Sequence, residues 1–251
     1  MSSVKRYLGM AKTLTVYYGK PLRLRGMKRL YGGVVGLGPG KLAFDIGAHV
    51  GNRVRAWRKL GARVVAVEPQ AAPLSVLRRL YGNDTGVSIV SEACGPREGR
   101  EVLHVCETSP TLSTLSGKWI STVSRAESFR GITWDREELV SVTTLDALIE
   151  RHGTPDFIKI DVEGFEADVL AGLSRPVSQL SFEFLPASIE IALRCVDRLE
   201  ELGSYEYNYS MVETMRLAGE SWVGPEQMKA SLEAMPRLGR SGDVYARLHE
   251  V

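Results

Sequence analysis

Phe44-Asp45-Ile46-Gly47-Ala48-His49-Val50-Gly51-Asn52 is the stretch on which the reading of the fold turns. Residues 42–45 form a short apolar run ending in a carboxylate, and Gly47 follows. This reads as a strand and a tight turn. Residues 52–60 then have a helical pattern that stops at Gly61. Working outward, residues 63–67 are β-branched and apolar, as a strand buried on both faces requires. Residues 71–81 read as a helix stopped by Gly82, and residues 87–90 as a third strand. This β-α-β-α-β order predicts a parallel sheet wrapped by helices. A second glycine run, Gly36-Leu37-Gly38-Pro39-Gly40, precedes the first strand and is read as a turn.

The pattern resumes toward the C-terminus. Residues 156–161 and 179–184 read as strands, and 165–173 and 187–202 as helices. Residues 205–209 and 243–248 read as two final strands, with a helical stretch near 227–234 between them. The total is about seven strands in one α/β, doubly wound domain spanning residues 41–251. The middle is less regular. Residues 101–106 and 138–142 alternate like exposed strands, and about thirty residues between them show no clean period. A stretch that long is either a functional lid or a plain insertion, so residues 107–137 and 211–241 are expected to be lid or substrate segments. Thr143 and Asp146 have the spacing of a capping box for the helix running to Arg151.

Composition narrows the class. The chain has 251 residues, 44% hydrophobic and 25% charged, close to the globular average and long enough for a core without disulfides. No apolar run approaches the ~18 residues of a membrane span, and the N-terminus has no continuous apolar segment of the secretory kind. Cys94, Cys106 and Cys195 are odd in number and far apart, which fits a reducing cytoplasm and disfavours a disulfide or zinc framework. The net charge of +2 is unevenly spread. Nine Lys or Arg and no acid precede Asp45, leaving 23 bases against 30 acids beyond it. Residues 1–40 therefore form a basic, helical arm. It either covers the fold with a solvated face or touches nucleic acid or anionic lipid. The apolar residues interleaved with the bases favour the covering role.

The turn at residues 45–52 narrows the ligand. Glycines there let backbone N–H groups approach a ligand at a helix N-terminus, with Gly47, Ala48, His49, Gly51 and Asn52 around it. Glu68 ends the second strand 21 residues after Gly47, where an acid meets the hydroxyls of a bound ribose. Together they imply an adenosine-bearing cofactor. A dinucleotide turn wants G-x-G-x-x-G, whereas this one is Asp45-x-Gly47-x-x-x-Gly51 with His49 where a middle glycine is usual. S-adenosylmethionine carries no phosphate and has an ammonium group for Asp45, so it is favoured over NAD. Glu92, after the third strand, is either an acceptor for the adenine amino group or a plain surface acid.

A second acidic cluster lies in Asp156-Phe157-Ile158-Lys159-Ile160-Asp161-Val162-Glu163-Gly164-Phe165-Glu166. Alternation puts Phe157, Lys159 and Asp161 on one face of the strand. A lysine inside a central strand is costly unless paired. Lys159 either neutralises an acidic cluster that includes Asp161, Glu163 and Glu183, or faces an edge with its head in water. The strand is expected beside the first, so that Asp45 and Asp161 share the carboxyl edge of the sheet where open α/β folds bind ligands.

These segments, with Val67-Glu68-Pro69, Thr143-Thr144-Leu145-Asp146-Ala147-Leu148-Ile149 and Val169-Leu170-Ala171-Gly172, resemble the FkbM-type family of class I S-adenosylmethionine-dependent methyltransferases, from about Lys41 to Phe184. The resemblance implies a Rossmann-like seven-stranded sheet whose last strand is antiparallel. It also implies methylation of a hydroxyl, often on a sugar or polyketide-like natural product. An alcohol reacts poorly until its proton is accepted. The candidates for that base are Asp161 and Glu163, and Lys159 is counted with the catalytic set. Asp161 and Glu183 could instead hold magnesium, whose preferred ligands are hard oxygens. A dehydrogenase on a dinucleotide fold and a non-catalytic cofactor- or nucleic-acid-binding module are the alternatives. The expected partner is a small hydroxylated acceptor, with no nucleic acid and no membrane insertion; a homo-oligomer is left open.

Overall fold

A computed structural model describes residues 14–15, 18, 21–212 and 214–249. Lys5, Arg6, Lys12 and Lys20 of the basic arm lie outside the described residues. From Pro21 the arm is a helix, α1 (Pro21–Gly33). The alternating elements follow: β1 (Leu42–Ile46), α2 (Asn52–Arg58), β2 (Arg63–Val67), α3 (Ala71–Tyr81) and β3 (Val87–Val90). After the irregular middle come α5 (Leu145–His152), β7 (Phe157–Ile160), α6 (Glu166–Ala171), β8 (Gln179–Phe184), α7 (Ile189–Leu202), β9 (Tyr205–Met211), α8 (Pro225–Ala234) and β10 (Gly242–Leu248).

Seven of these strands make one sheet in the order β3-β2-β1-β7-β8-β10-β9. All its other pairings are parallel, but β10 is antiparallel to both β8 and β9. The chain thus reverses direction outward from β1, leaving a crevice at the carboxyl ends of β1 and β7. β1 is buried along its whole length, because helices cover both faces of a parallel sheet.

The pleat sorts the strand residues into two cores. Phe44, Ile46, Val65, Ile158, Ile160, Phe182 and Val244 point toward α5–α8. Ala43, Val64, Ala66, Phe157 and Tyr245 point toward α1 and α2, where Met27, Leu30, Tyr31 and Trp57 meet them. Trp57 stands edge-on to Tyr31 and Phe157, with ring centroids 5.2 and 5.8 Å away. Aromatic pairs favour this arrangement.

The middle departs from expectation. β5 (Gly99–Val105) and β6 (Arg136–Thr143) form where exposed strands were read, yet neither joins the main sheet. They pair antiparallel and, with β4 (Ala93–Cys94), make a separate three-stranded sheet. Its core is only Ala93, Leu103, Val105, Val140 and Val142, so half-polar strands suffice. Residues 107–137 between β5 and β6 hold one α-helix, α4 (Gly117–Val123), capped by the Ser116 hydroxyl on the Trp119 N–H, and two single 3-10 turns, Pro110–Leu112 and Glu127–Phe129. The capping residue of α5 is also corrected. Thr144, in extended conformation, accepts from Ala147 N, whereas Thr143 accepts from Arg151 and Asp146 accepts from Ser174 N. A cap oxygen must reach the N–H three residues on, and only Thr144 precedes the helix directly.

Trp57→Ala would remove the ring that α1, α2 and the sheet share. We expect a loss of about 3–5 kcal/mol, the usual range for deleting a large core aromatic, read from urea unfolding. A loss below about 1 kcal/mol would mean that α1 is not part of the core.

Candidate functional site

A cleft of about 250 Å³ opens at the carboxyl edge of β1, β2, β7 and β8. Its walls include Gly47, His49, Asn52 and Glu68 on one side and Asp161, Glu163, Glu183 and Asp243 on the other, with Pro110, Thr111, Ser113, Thr114 and Leu115 of the middle insertion also lining it. Asp45, Ala48, Gly51, Lys159 and Glu92 are not among its lining residues. Asp45 lies directly before the lining Ile46 and Gly47. Glu92 is engaged elsewhere, in an ion pair with Arg151 at 2.9 Å.

The glycine turn exists because backbones meet there. Gly47 has φ of 84°, and a Cβ on it would sit 1.9 Å from the Asp161 carbonyl oxygen, so the strand end that carries Asp161 can approach only a glycine. His49 also has positive φ, 48°. Its backbone N–H donates to Glu68 Oε2 at 2.9 Å, while Gln70 N donates to Oε1 at 2.8 Å. Glu68 therefore stitches the first turn to the second strand and still presents itself in the wall. Gln70 continues the stitch: its Nε2 donates to Pro110 O at 3.0 Å, and Ser113 Oγ donates to its Oε1 at 3.0 Å. These bonds tie the insertion to the cleft.

Burial sets the electrostatics of this half. It pushes Asp45 and Glu68 up to about 7 each, in Asp45 against the pull of Arg53 and Lys159 and in Glu68 against two backbone N–H donors. It pushes His49 down to about 4, leaving a neutral imidazole. Among the described residues, Asp45 Oδ2 and Asn52 Nδ2 are buried without a hydrogen-bond partner. A buried acceptor and donor left unmatched at a glycine turn beside Glu68 are what a ligand with an ammonium, a carboxylate and a ribose needs. The residues present fit S-adenosylmethionine.

The other half is built by register. Lys159 sits opposite Asp45 on β1 and Ser181 on β8, and Asp243 sits opposite Glu183. Alternation places Lys159, Asp161, Glu183 and Asp243 on one face, at adjacent steps toward the sheet edge. Lys159 is wholly buried, and its ammonium donates to Asp243 at 2.8 Å and Asp161 at 3.2 Å. Burial opposes its charge, but the two carboxylates outweigh burial and raise its pKa. For Asp161, burial pushes upward, while Lys159 and then Arg53 pull harder, and its pKa lies below the ordinary value. Glu163 and Glu183 go the other way. Burial, then the Asp161 charge, raises both well above the usual carboxyl range. One oxygen from each of Asp161, Glu163 and Glu183 lies within 4.8 Å of the others.

Glu163 also takes positive φ, 54°. Glu166, nearly fully buried, holds that turn by accepting from Val162 N at 3.1 Å and from Gly164 N at 3.1–3.2 Å. A Cβ on Gly164 would strike the Trp119 ring at 2.1 Å, so the insertion packs directly on this turn. Sequence reasoning missed Arg53, Gln70 and Asp243. Asp243 left one signal, an acid at the head of the last strand, directly before the apolar run Val244-Tyr245-Ala246.

Two consequences are measurable. Asp45 and Glu68 have pKa values near 7 in the folded chain and ordinary ones when unfolded, so folding takes up protons between about pH 4 and 7. Their contribution favours the ligand-free fold at low pH and is lost as pH rises through 7. In thermal melts, Glu68→Gln should lose less stability than wild type between pH 5 and 8; parallel curves would refute this. Lys159→Met should cost about 3 kcal/mol in urea unfolding, the lower end for breaking a buried pair, by leaving the buried Asp243 and the part-exposed Asp161 without their cation, and adding Asp243→Asn should restore part of it. Additive losses would show that the two do not interact.

A family model, the methyltransferase FkbM domain, matches residues 45–216. That span holds the glycine turn, Glu68, the insertion, Asp161, Glu163 and Glu183, and stops short of Asp243. No curated protein matches the chain. Among solved structures, the cofactor-bound Rv0187 from MTB is 13% identical over 97% of this chain and 90% of that one, at a TM-score of 0.48. Precorrin-6y C5,15-methyltransferase from Geobacter metallireducens is 12% identical over 90% and 87%, at 0.44. A TehB-like SAM-dependent methyltransferase from Corynebacterium glutamicum is 11% identical over 89% and 88%, also at 0.44. The family match covers more than half of the chain, and it falls on the turn and the acidic strand end that build the cleft: the chain belongs to the FkbM family of S-adenosylmethionine-dependent methyltransferases.

Proposed function

We propose that this methyltransferase acts on a hydroxyl of a small molecule, such as a sugar or a polyketide-like product. The observation that carries the reading is the placement of Asp161, a cleft carboxylate 3.2 Å from the Lys159 ammonium with one oxygen within 4.8 Å of oxygens of Glu163 and Glu183. Lys159 pulls its pKa down, while burial and the Asp161 charge push those of the two glutamates up. An alcohol needs a proton acceptor in order to attack, and Asp161 is the member of the cluster in the accepting state. When bound, the cofactor supplies an electrophilic methyl on a sulfonium.

The chain's own residues do the rest. Asp45 offers its unmatched oxygen to the cofactor's ammonium, and Glu68 offers its carboxylate to the ribose hydroxyls. Asp161 accepts the acceptor's proton. Lys159, shared with Asp243, keeps Asp161 charged and fixed in direction. Residues 110–115 act as a lid that limits water, and positioning then supplies much of the rate. The raised pKa values of Glu163 and Glu183 suit them to donate hydrogen bonds to acceptor oxygens. Asp161, Glu163 and Glu183 together also offer hard oxygen ligands that would suit magnesium, which would polarise the acceptor hydroxyl.

A screen of hydroxylated metabolites with methyl-labelled S-adenosylmethionine identifies the acceptor; label on carbon or nitrogen instead of oxygen would refute the O-methylation reading. With the acceptor in hand, Asp161→Asn should bind S-adenosylhomocysteine normally and lose about 10²–10⁴ in turnover, the range for general acid–base catalysis. Wild-type turnover by the folded variant would remove Asp161 from the mechanism. EDTA should leave the rate unchanged if Asp161 acts as the base alone; a loss restored by magnesium would assign the three carboxyls to a metal.

A further inference from the structure

We propose that the outward face of α1 docks the protein onto an anionic lipid surface. The helix is two-sided. Met27, Leu30 and Tyr31 are buried against the sheet, and Leu22, Arg25, Lys28 and Arg29 are exposed on the opposite side. Their spacing puts them on one stripe. Leu22 is 76% exposed, the most exposed large apolar side chain among the described residues. It stands three residues before Arg25 and seven before Arg29, so an apolar tip is flanked by cations. The apolar face of α1 is already spent on the sheet, so the outer stripe offers a cluster of bases to lipid phosphates with one apolar side chain among them, which is the arrangement of a basic surface patch held by charge.

Charge complementarity supports that occupant. None of Arg25, Lys28 and Arg29 has an ion pair or side-chain hydrogen bond among the described residues, whereas nearby bases are neutralised, Lys41 by Asp156 and Arg58 by Asp84. No acid occurs anywhere in residues 1–44. Met215 packs on Gly26, and Arg216 beside it is exposed, adding a cation next to the stripe. The rest of the chain carries an acidic excess, so an anionic surface would attract α1 and repel the remainder, and orientation follows from charge alone. Single-stranded nucleic acid would call for exposed aromatic rings among the bases, but the aromatic of α1, Tyr31, is fully buried.

The helix is also fixed firmly enough to transmit an orientation. Just before it, the Tyr18 hydroxyl donates to Val50 O at 2.7 Å and lies 2.9 Å from the Tyr81 hydroxyl, and the Arg55 guanidinium sits 5.2 Å from the Tyr18 ring centre. Val50 belongs to the glycine turn. A docked α1 would therefore hold that turn, and the cleft beside it, at a set position relative to the bilayer. No helix among the described residues is long and apolar enough to cross a membrane, so the association is peripheral.

The test is co-sedimentation of the full chain with phosphatidylcholine vesicles, with and without about one-third phosphatidylglycerol. Binding is expected only to the anionic vesicles, and it should weaken as salt is raised. Each basic residue near such a surface is worth about a fivefold gain in partitioning. The triple variant Arg25→Gln, Lys28→Gln, Arg29→Gln should therefore bind ~100-fold less, and Leu22→Ser should bind measurably less at unchanged charge. Both variants should melt like wild type and bind S-adenosylhomocysteine equally, because none of these side chains touches the cleft. No binding to anionic vesicles would overturn the proposal, as would equal binding by the triple variant. Tighter binding to a single-stranded oligonucleotide that the same variant abolishes would assign the face to nucleic acid instead. None of these outcomes bears on the methyl-transfer reading.

Discussion

An ammonium group with no access to water must find its counter-charges inside the protein, and the arrangement of this site follows from that requirement at Lys159. Its two partners come from different places. Asp161 lies two residues further along the chain, just past the end of β7, while Asp243 lies on β10, 84 residues away. Reaching Asp243 requires β10 to lie beside β8 and to run antiparallel to it, so that Asp243 falls opposite Glu183. Sheet order, strand direction and pairing register are therefore all conditions on the charge balance of the cleft. A slip of one residue in β10 would turn Asp243 to the other face. That face is filled by Phe182, Phe184 and Val244, where an unpaired carboxylate could not stay.

Lys159 and Arg53 face more acids than two cations can neutralise. The remaining acids adjust by holding their protons. Asp161 stays ionised because it touches Lys159; Glu163 and Glu183, close to Asp161 but without a cation of their own, are driven toward the neutral form. Carboxyls a few ångströms apart are thus pushed in opposite directions by their neighbours, Lys159 foremost, and such separation suits one residue type to both donor and acceptor roles.

Much of this could be read in the chain. Strands buried on both faces announce themselves as apolar runs, so β1, β2, β7 and β8 and the helices between them were legible. Alternation correctly put Lys159 and Asp161 on one face. Pairing over long range was not legible. Nothing local in Asp243 tells which strand its own will join, and the half-polar β5 and β6 have the same alternation whether they extend the main sheet or form their own. Glu92, after the third strand, has a long-range partner that its own neighbourhood does not announce, Arg151 from a helix 59 residues on. The insertion was visible only as a stretch without period. Its order comes from side chains meeting across distance: Trp119 stacks edge-on against Phe129 and Trp134 and donates to Ser188 Oγ at 3.2 Å.

The position of β10 also sets the order in which the site can be completed during synthesis. It is the last strand of the sheet to leave the ribosome, yet it occupies an interior position between β8 and β9. Until it inserts, β8 has an open edge and Lys159 lacks one of its two counter-charges. The nascent chain can assemble the glycine turn and the first three parallel strands early, from short-range contacts. It cannot close the acidic half of the cleft until residues 242–248 arrive. The glycine turn and the acidic half of the cleft thus mature at different times, and a chain truncated before β10 would expose an unpaired β8 edge that invites aggregation.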